Sequence, residues 1–197
     1  MANFISIFRI FLVFWAIYLL FQYDFYGYLW ALLLTIIAFI LDGVDGWVAR
    51  KLNETSKLGA VIDIMGDRIV ENTFWVSFAV LGWLPLIFPL IALTRSFVTD
   101  SLRSVAMEKG FTAFGECSMQ SSKFGHFICS SKFSRISYAV SKVLAFILLI
   151  AANIPYLKFE TAIKIEYVAL TLAFIAIEFC VLRGLPVIFE SKKFFER

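Results

Sequence analysis

Between Asp42 and Asp67 this chain sets four aspartates, Asp42, Asp45, Asp63 and Asp67, and an arginine, Arg50, into sequence that is otherwise apolar enough for a bilayer. Charges in such segments are costly and are retained where they serve a site. Asp42 and Asp45 stand at i, i+3 and Asp63 and Asp67 at i, i+4, so on helices each pair shares one face. The polar turn Asn53-Glu54-Thr55-Ser56 lies midway between the pairs. An antiparallel helical hairpin folded there brings all four carboxylates to one depth, roughly 13 to 18 Å from the turn at 1.5 Å per residue.

Four carboxylates that close do not all stay ionised unless cations sit among them, because like charges in a low dielectric raise one another's pKa. An oxygen-only donor set favours Mg²⁺ or Mn²⁺ over zinc. Two such ions would suit a substrate that brings its own phosphate oxygens. Gly43, Gly46, Gly59 and Gly66 lie on or beside the acidic faces. There a missing side chain allows either close helix packing or the approach of a ligand to backbone. Ligand approach is the reading for Gly46 and Gly59, and close packing for Gly43 and Gly66. Arg50, near the mouth of the hairpin, offers a planar fork to a diphosphate or else anchors the helix on the positive side of a membrane.

The pattern Asp42-x2-Asp45-Gly46-x2-Ala49-Arg50-x8-Gly59-x3-Asp63-x3-Asp67 resembles the signature of the CDP-alcohol phosphotransferases, membrane enzymes that make phospholipid headgroups. Eight defined residues over 26 positions make this a specific resemblance. It implies an all-α, polytopic membrane protein with six transmembrane helices and two divalent ions, Mg²⁺ or Mn²⁺, on the four aspartates, with CMP as leaving group. By the same resemblance Asp42, Asp45 and Asp63 hold metal, and Asp67 both holds metal and deprotonates the acceptor hydroxyl. Gly46, Gly59, Arg50 and Ser56 are then placed at the CDP moiety. A homodimer is also what the family implies.

Composition agrees with a membrane protein. Of 197 residues 61% are hydrophobic, and the mean hydropathy is +0.85. This reads as one membrane domain over residues 1–197, with no separate soluble domain and no nucleic-acid partner. Cys117, Cys129 and Cys180 are odd in number and lack metal-like spacing.

Along the chain, Asn3, Ser6 and Arg9 repeat at three-residue spacing and form one polar stripe on a first span from Asn3 to Phe21. The stripe faces protein or headgroups, or is a snorkelling interfacial start. It also resembles the Asn-x2-Thr-x2-Arg opening of many family members, with Ser6 in place of threonine, which would place Asn3, Ser6 and Arg9 beside the cytidine. A second span is expected from about Tyr28, a third from near Ser56, and a fourth from about Pro85 to Met107. The fifth runs roughly from Tyr138 to Ile154 and the sixth from Tyr167 to Leu182.

The fourth begins apolar and then acquires Arg95, Thr99, Asp100 and Arg103, a change expected of a helix leaving lipid for a polar cavity. Arg95 and Arg103 are candidates to meet an anionic substrate, with Asp100 read as a structural partner of Arg103. Residues Glu108 to Lys132 read as a cytoplasmic loop, with His126 at its surface. Lys132 and Arg135 either point basic heads at a phosphate or flank a helix on its positive side. With six spans, most lysines and arginines fall on one face, so the carboxylate cluster opens to the cytoplasm.

Leu102-Arg103-Ser104-Val105-Ala106-Met107-Glu108-Lys109-Gly110 resembles the corresponding stretch of bacterial phosphatidylglycerophosphate synthases, and Lys132-x2-Arg135-x-Ser137 loosely resembles their later basic motif. The resemblance therefore implies transfer of a phosphatidyl group from CDP-diacylglycerol to glycerol 3-phosphate, with Arg95, Arg103, Lys132 and Arg135 at the acceptor phosphate. Inositol phosphate is the alternative acceptor. A cation transporter using the aspartates as an ion path is the reading from another class.

Overall fold

The computed structural model describes residues 2–51, 57–108 and 131–191, and every described regular element but a single 3₁₀ residue, Ser191, is an α-helix. There are six among the described residues: α1 (Ala2–Leu20), α2 (Phe25–Lys51), α3 (Lys57–Val80), α4 (Ile87–Glu108), α5 (Lys132–Ala152) and α6 (Phe159–Glu190). The expected hairpin turn at Asn53–Ser56, the loop with His126 and the basic tail after Ser191 lie outside the described residues.

Local chemistry sets the boundaries. α1 ends where Tyr23 takes a left-handed backbone, φ 53°. Asp24 then caps α2, its Oδ2 accepting the Gly27 N–H at 3.3 Å, a first-turn donor that the helix itself cannot satisfy. A Cβ on Gly27 would stand 3.1 Å from the Leu19 carbonyl oxygen, so glycine is what lets α2 start so close to the end of α1. α3 stops at the turn through Gly82, whose φ of 79° suits glycine. Ser131 caps α5, its Oγ accepting the Ser134 N–H at 3.1 Å. Lys132 and Arg135 therefore lie in the first turn of α5 rather than ahead of it. α6 is longer than the sequence suggests, taking in Glu160 and Lys164 and running past Pro186.

Among the described residues, three helices combine the length and apolar character needed to cross a bilayer: Phe25–Val44 in α2, Phe133–Ala152 in α5 and Phe159–Glu190 in α6. α3 and α4 are long enough, but Asp63, Asp67, Arg68 and Glu71 in one and Arg95, Asp100 and Arg103 in the other load them with charge. Large apolar side chains such as Phe4, Phe11, Trp30 and Phe174 point outward, which fits a surface that meets lipid rather than water.

The chain divides into two compact units, Met1–Leu86 with Val143–Leu170 and Ile87–Lys142 with Thr171–Arg197. In the first, α1 packs on both α2 and α3. Its core is aromatic: Phe146 of α5 lies 4.8 Å from Trp75 edge-on and 5.2 Å from Phe74, centroid to centroid. Both are favoured ring geometries. The second unit holds Phe88 edge-on to Phe174 at 4.8 Å. Phe146→Ala is expected to cost about 3–5 kcal/mol of stability, read by reversible unfolding in mixed micelles. A cost below about 1 kcal/mol would place the core elsewhere.

Candidate active site

The first unit carries the acidic residues. Asp42 stands late on α2, and Asp63 and Asp67 stand one turn apart on α3, all three exposed. Asp45, Gly46 and Arg50 continue α2, but their side chains, like that of Asn3, are not among those described; Ser56 lies outside the described residues altogether.

Arg9 of α1 joins the two acidic helices. Its Nη1 pairs with Asp42 Oδ1, and its Nη2 donates to Asp67 Oδ1 at 2.6 Å. The side chain of Arg9 is 2% exposed while those of Asp42 and Asp67 are 44% and 52% exposed. The guanidinium thus sits in the protein and the carboxylates rim its outer side. A planar fork that serves two carboxylates from its two ends is arginine geometry, and lysine would not reproduce it. Ser6, one turn before Arg9, is also buried, so the polar stripe of α1 faces protein. Of the two readings of that stripe, the snorkelling one is set aside for Ser6 and Arg9.

Gly66 lies beside this contact. A Cβ there would come within 3.3 Å of Arg9 Nη2 and 3.7 Å of Ile10 Cδ1, so the glycine makes room for α1, in keeping with the packing reading. Gly43 does not behave as expected. A Cβ on it would meet no described atom within 4 Å, so close packing does not account for it. Gly59 is half-buried on α3.

The sequence reads Arg9 as part of the polar stripe of α1, beside the cytidine by resemblance, and not as a partner of Asp42 and Asp67. The signal was present: an arginine inside an apolar span, one turn after Ser6. What was missing was the register between α1 and the acidic helices, which no spacing within one helix supplies.

The carboxylate oxygens of Asp42 and Asp67 converge on one cationic group, so Arg9 acts as a stand-in ion, and the donor set, oxygen only, suits a hard divalent cation. The described side chains by themselves form no cluster of three acidic, histidine or cysteine groups within reach of one metal; Asp45 is not among them.

The second unit carries the other basic candidates. Arg95 is 9% exposed and its Nε has no partner among the described residues. It lines a cavity of about 350 Å³ with Ile87, Ile91, Val181, Gly184 and Ile188. Gly184 admits it, since a Cβ there would stand 3.1 Å from Arg95 Cγ. Arg103 Nη1 lies 3.8 Å from Asp100 Oδ1, the i, i+3 pairing expected. Arg135 is exposed on α5, and the side chain of Lys132 lies outside the description.

A sequence profile described as CDP-alcohol phosphatidyltransferase matches residues 1–180. Over 84 residues the chain is 31% identical to a Mycobacterium tuberculosis protein provisionally named a cardiolipin synthase, 43% of this chain and 40% of that protein. Over 76 residues it is 33% identical to a Mycoplasma pneumoniae protein named CDP-diacylglycerol–glycerol-3-phosphate 3-phosphatidyltransferase, 39% of this chain and 34% of the other. A shorter stretch of 32 residues is 53% identical to Arabidopsis thaliana CDP-diacylglycerol–inositol 3-phosphatidyltransferase 1, covering 16% of this chain and 14% of that one. The chain thus spans about 40% of the length of the first of these relatives.

Proposed function

Because this chain belongs to the CDP-alcohol phosphatidyltransferase family, we propose that it transfers a phosphatidyl group from CDP-diacylglycerol to glycerol 3-phosphate, releasing CMP. The observation that carries the reading is the complete eight-residue signature from Asp42 to Asp67 inside the matched region. The acceptor assignment is supported by the Leu102–Gly110 stretch and by the Mycoplasma pneumoniae relative.

In this reading the protein has six membrane spans, the site opens to the cytoplasm, and two copies associate as a homodimer. The acyl chains of the donor stay in the bilayer while the nucleotide enters from water. Asp42, Asp45, Asp63 and Asp67 hold two divalent ions, Mg²⁺ or Mn²⁺, which when bound neutralise phosphate charge. Gly46 and Gly59 let the nucleotide approach backbone. Arg50 forks onto the diphosphate, and Asn3, Ser6 and Ser56 line the nucleotide. Asp67 takes the proton from the attacking hydroxyl, so the acceptor oxygen reaches phosphorus as its phosphate is held by Arg95, Arg103, Lys132 and Arg135. The O–P bond to the acceptor forms as the P–O bond to CMP breaks, and CMP leaves with the electron pair.

Inositol phosphate is the second acceptor to weigh; the Arabidopsis thaliana match, to a protein named for inositol itself, supports an inositol-type acceptor without its phosphate. The phosphate of inositol phosphate would use the same basic residues. Purified protein given labelled CDP-diacylglycerol and a panel of acceptors decides between them. CMP release is expected with glycerol 3-phosphate. Turnover with inositol phosphate alone would overturn the acceptor, and ion flux with no CMP from any acceptor would overturn the reaction class.

A further inference from the structure

The contact between Arg9 and the two aspartates raises a conflict of charge. Arg9 Nη1 and Nη2 engage the Oδ1 atoms of Asp42 and Asp67. A Mg²⁺ ion would bind such oxygens at about 2.0–2.1 Å. A guanidinium on the same atoms would then sit within a few ångströms of a doubly positive ion, with burial limiting the water that could screen the repulsion. Arg9 does not escape by losing its proton, because arginine remains charged in proteins.

We propose that Arg9 is an internal counter-ion that competes with the divalent ions for Asp42 and Asp67, so that metal loading requires its guanidinium to withdraw and Arg9 sets the affinity of the site. The inference rests on the carboxylates being a metal site, as in the reading above, and not on which reaction that site runs. Two further observations support it. Arg9 Nε has no partner among the described residues, so the described ion pairs of this buried group are those to the two carboxylates. The side chains of Asp42 and Asp67 are about half exposed while that of Arg9 is almost wholly buried, which leaves the acids reachable from the side away from α1. An uncompensated pair of carboxylates would be unstable before metal arrives, and Arg9 removes that instability at the expense of metal affinity.

The test measures Mn²⁺ binding to the full-length protein in micelles by electron paramagnetic resonance, without lipid or nucleotide, for wild type, Arg9→Lys and Arg9→Gln. Removing a cation so close to the site in Arg9→Gln is expected to tighten Mn²⁺ binding about tenfold or more. Lysine is a point charge that does not bridge both carboxylates, so Arg9→Lys falls between the other two. It also provides a readout if the glutamine variant does not fold. Affinity that is unchanged or weaker in the folded variants overturns the proposal, since Arg9 would then be indifferent to the metal or would help hold its ligands. Absence of Mn²⁺ binding in all three overturns it as well. CMP release measured in parallel tests the enzymatic reading alone: tighter Mn²⁺ binding without any turnover would sink that reading and leave the competition standing.

Discussion

Asp67→Asn is expected to lower the rate of CMP release by about 10²–10⁴-fold, the range by which a positioned general base accelerates proton transfer. Asparagine has nearly the same shape and keeps a side-chain oxygen able to accept from Arg9 Nη2, which Asp67 now meets at 2.6 Å. It lacks the charge that, in the proposed mechanism, takes a proton from the acceptor hydroxyl. The loss should therefore fall mainly on kcat, with the protein still folded and still extracted in the same micelles. Initial rates with labelled CDP-diacylglycerol across a range of glycerol 3-phosphate concentrations separate kcat from KM. A wild-type kcat in this variant would remove Asp67 from the role of base and leave it, at most, a ligand and a partner of Arg9.

Stripping divalent ions with a chelator is expected to abolish CMP release, with a fall of about 10³-fold or more, because neutralising phosphate charge is worth several kcal/mol in the transition state. Activity should return with Mg²⁺ or Mn²⁺ and not with an excess of monovalent salt. The structure gives a reason for the protein to survive this treatment: the guanidinium of Arg9 continues to balance Asp42 and Asp67. Unfolding monitored alongside activity should show a folded, inactive protein. Full activity in chelator would refute metal dependence.

The acidic helices were the most legible part of the chain. Helical spacing places Asp63 and Asp67 on one face without reference to any other segment, and the structure keeps both in α3. The ends of α2 and α5 were harder, because they depend on Asp24 and on Ser131 acting as caps, and a cap competes with a loop of the same residues. The length of α6 was missed for a related reason. The apolar run from Tyr167 to Leu182 marks only the middle of α6, since an acidic first turn with Glu160 is favourable for a helix and neighbouring structure can carry Pro186 inside one.

The basic residues divide in the same way. The pairing of Asp100 with Arg103 follows from i, i+3 spacing and is present at 3.8 Å. The burial of Arg95 against Gly184 joins positions far apart in sequence, on α4 and α6, and no local pattern announced it.

The sequence by itself determined which residues are acidic, their helical faces, and an apolar background in which charges persist only with a purpose. These properties depend on residue type and on a period of 3.6, both of which are local. Only the tertiary structure decided that Arg9, 33 positions before Asp42 and 58 before Asp67, would be their partner. That choice depends on how α1 packs against α2 and α3, and docking of side chains across three helices is set by the shapes of all of them together.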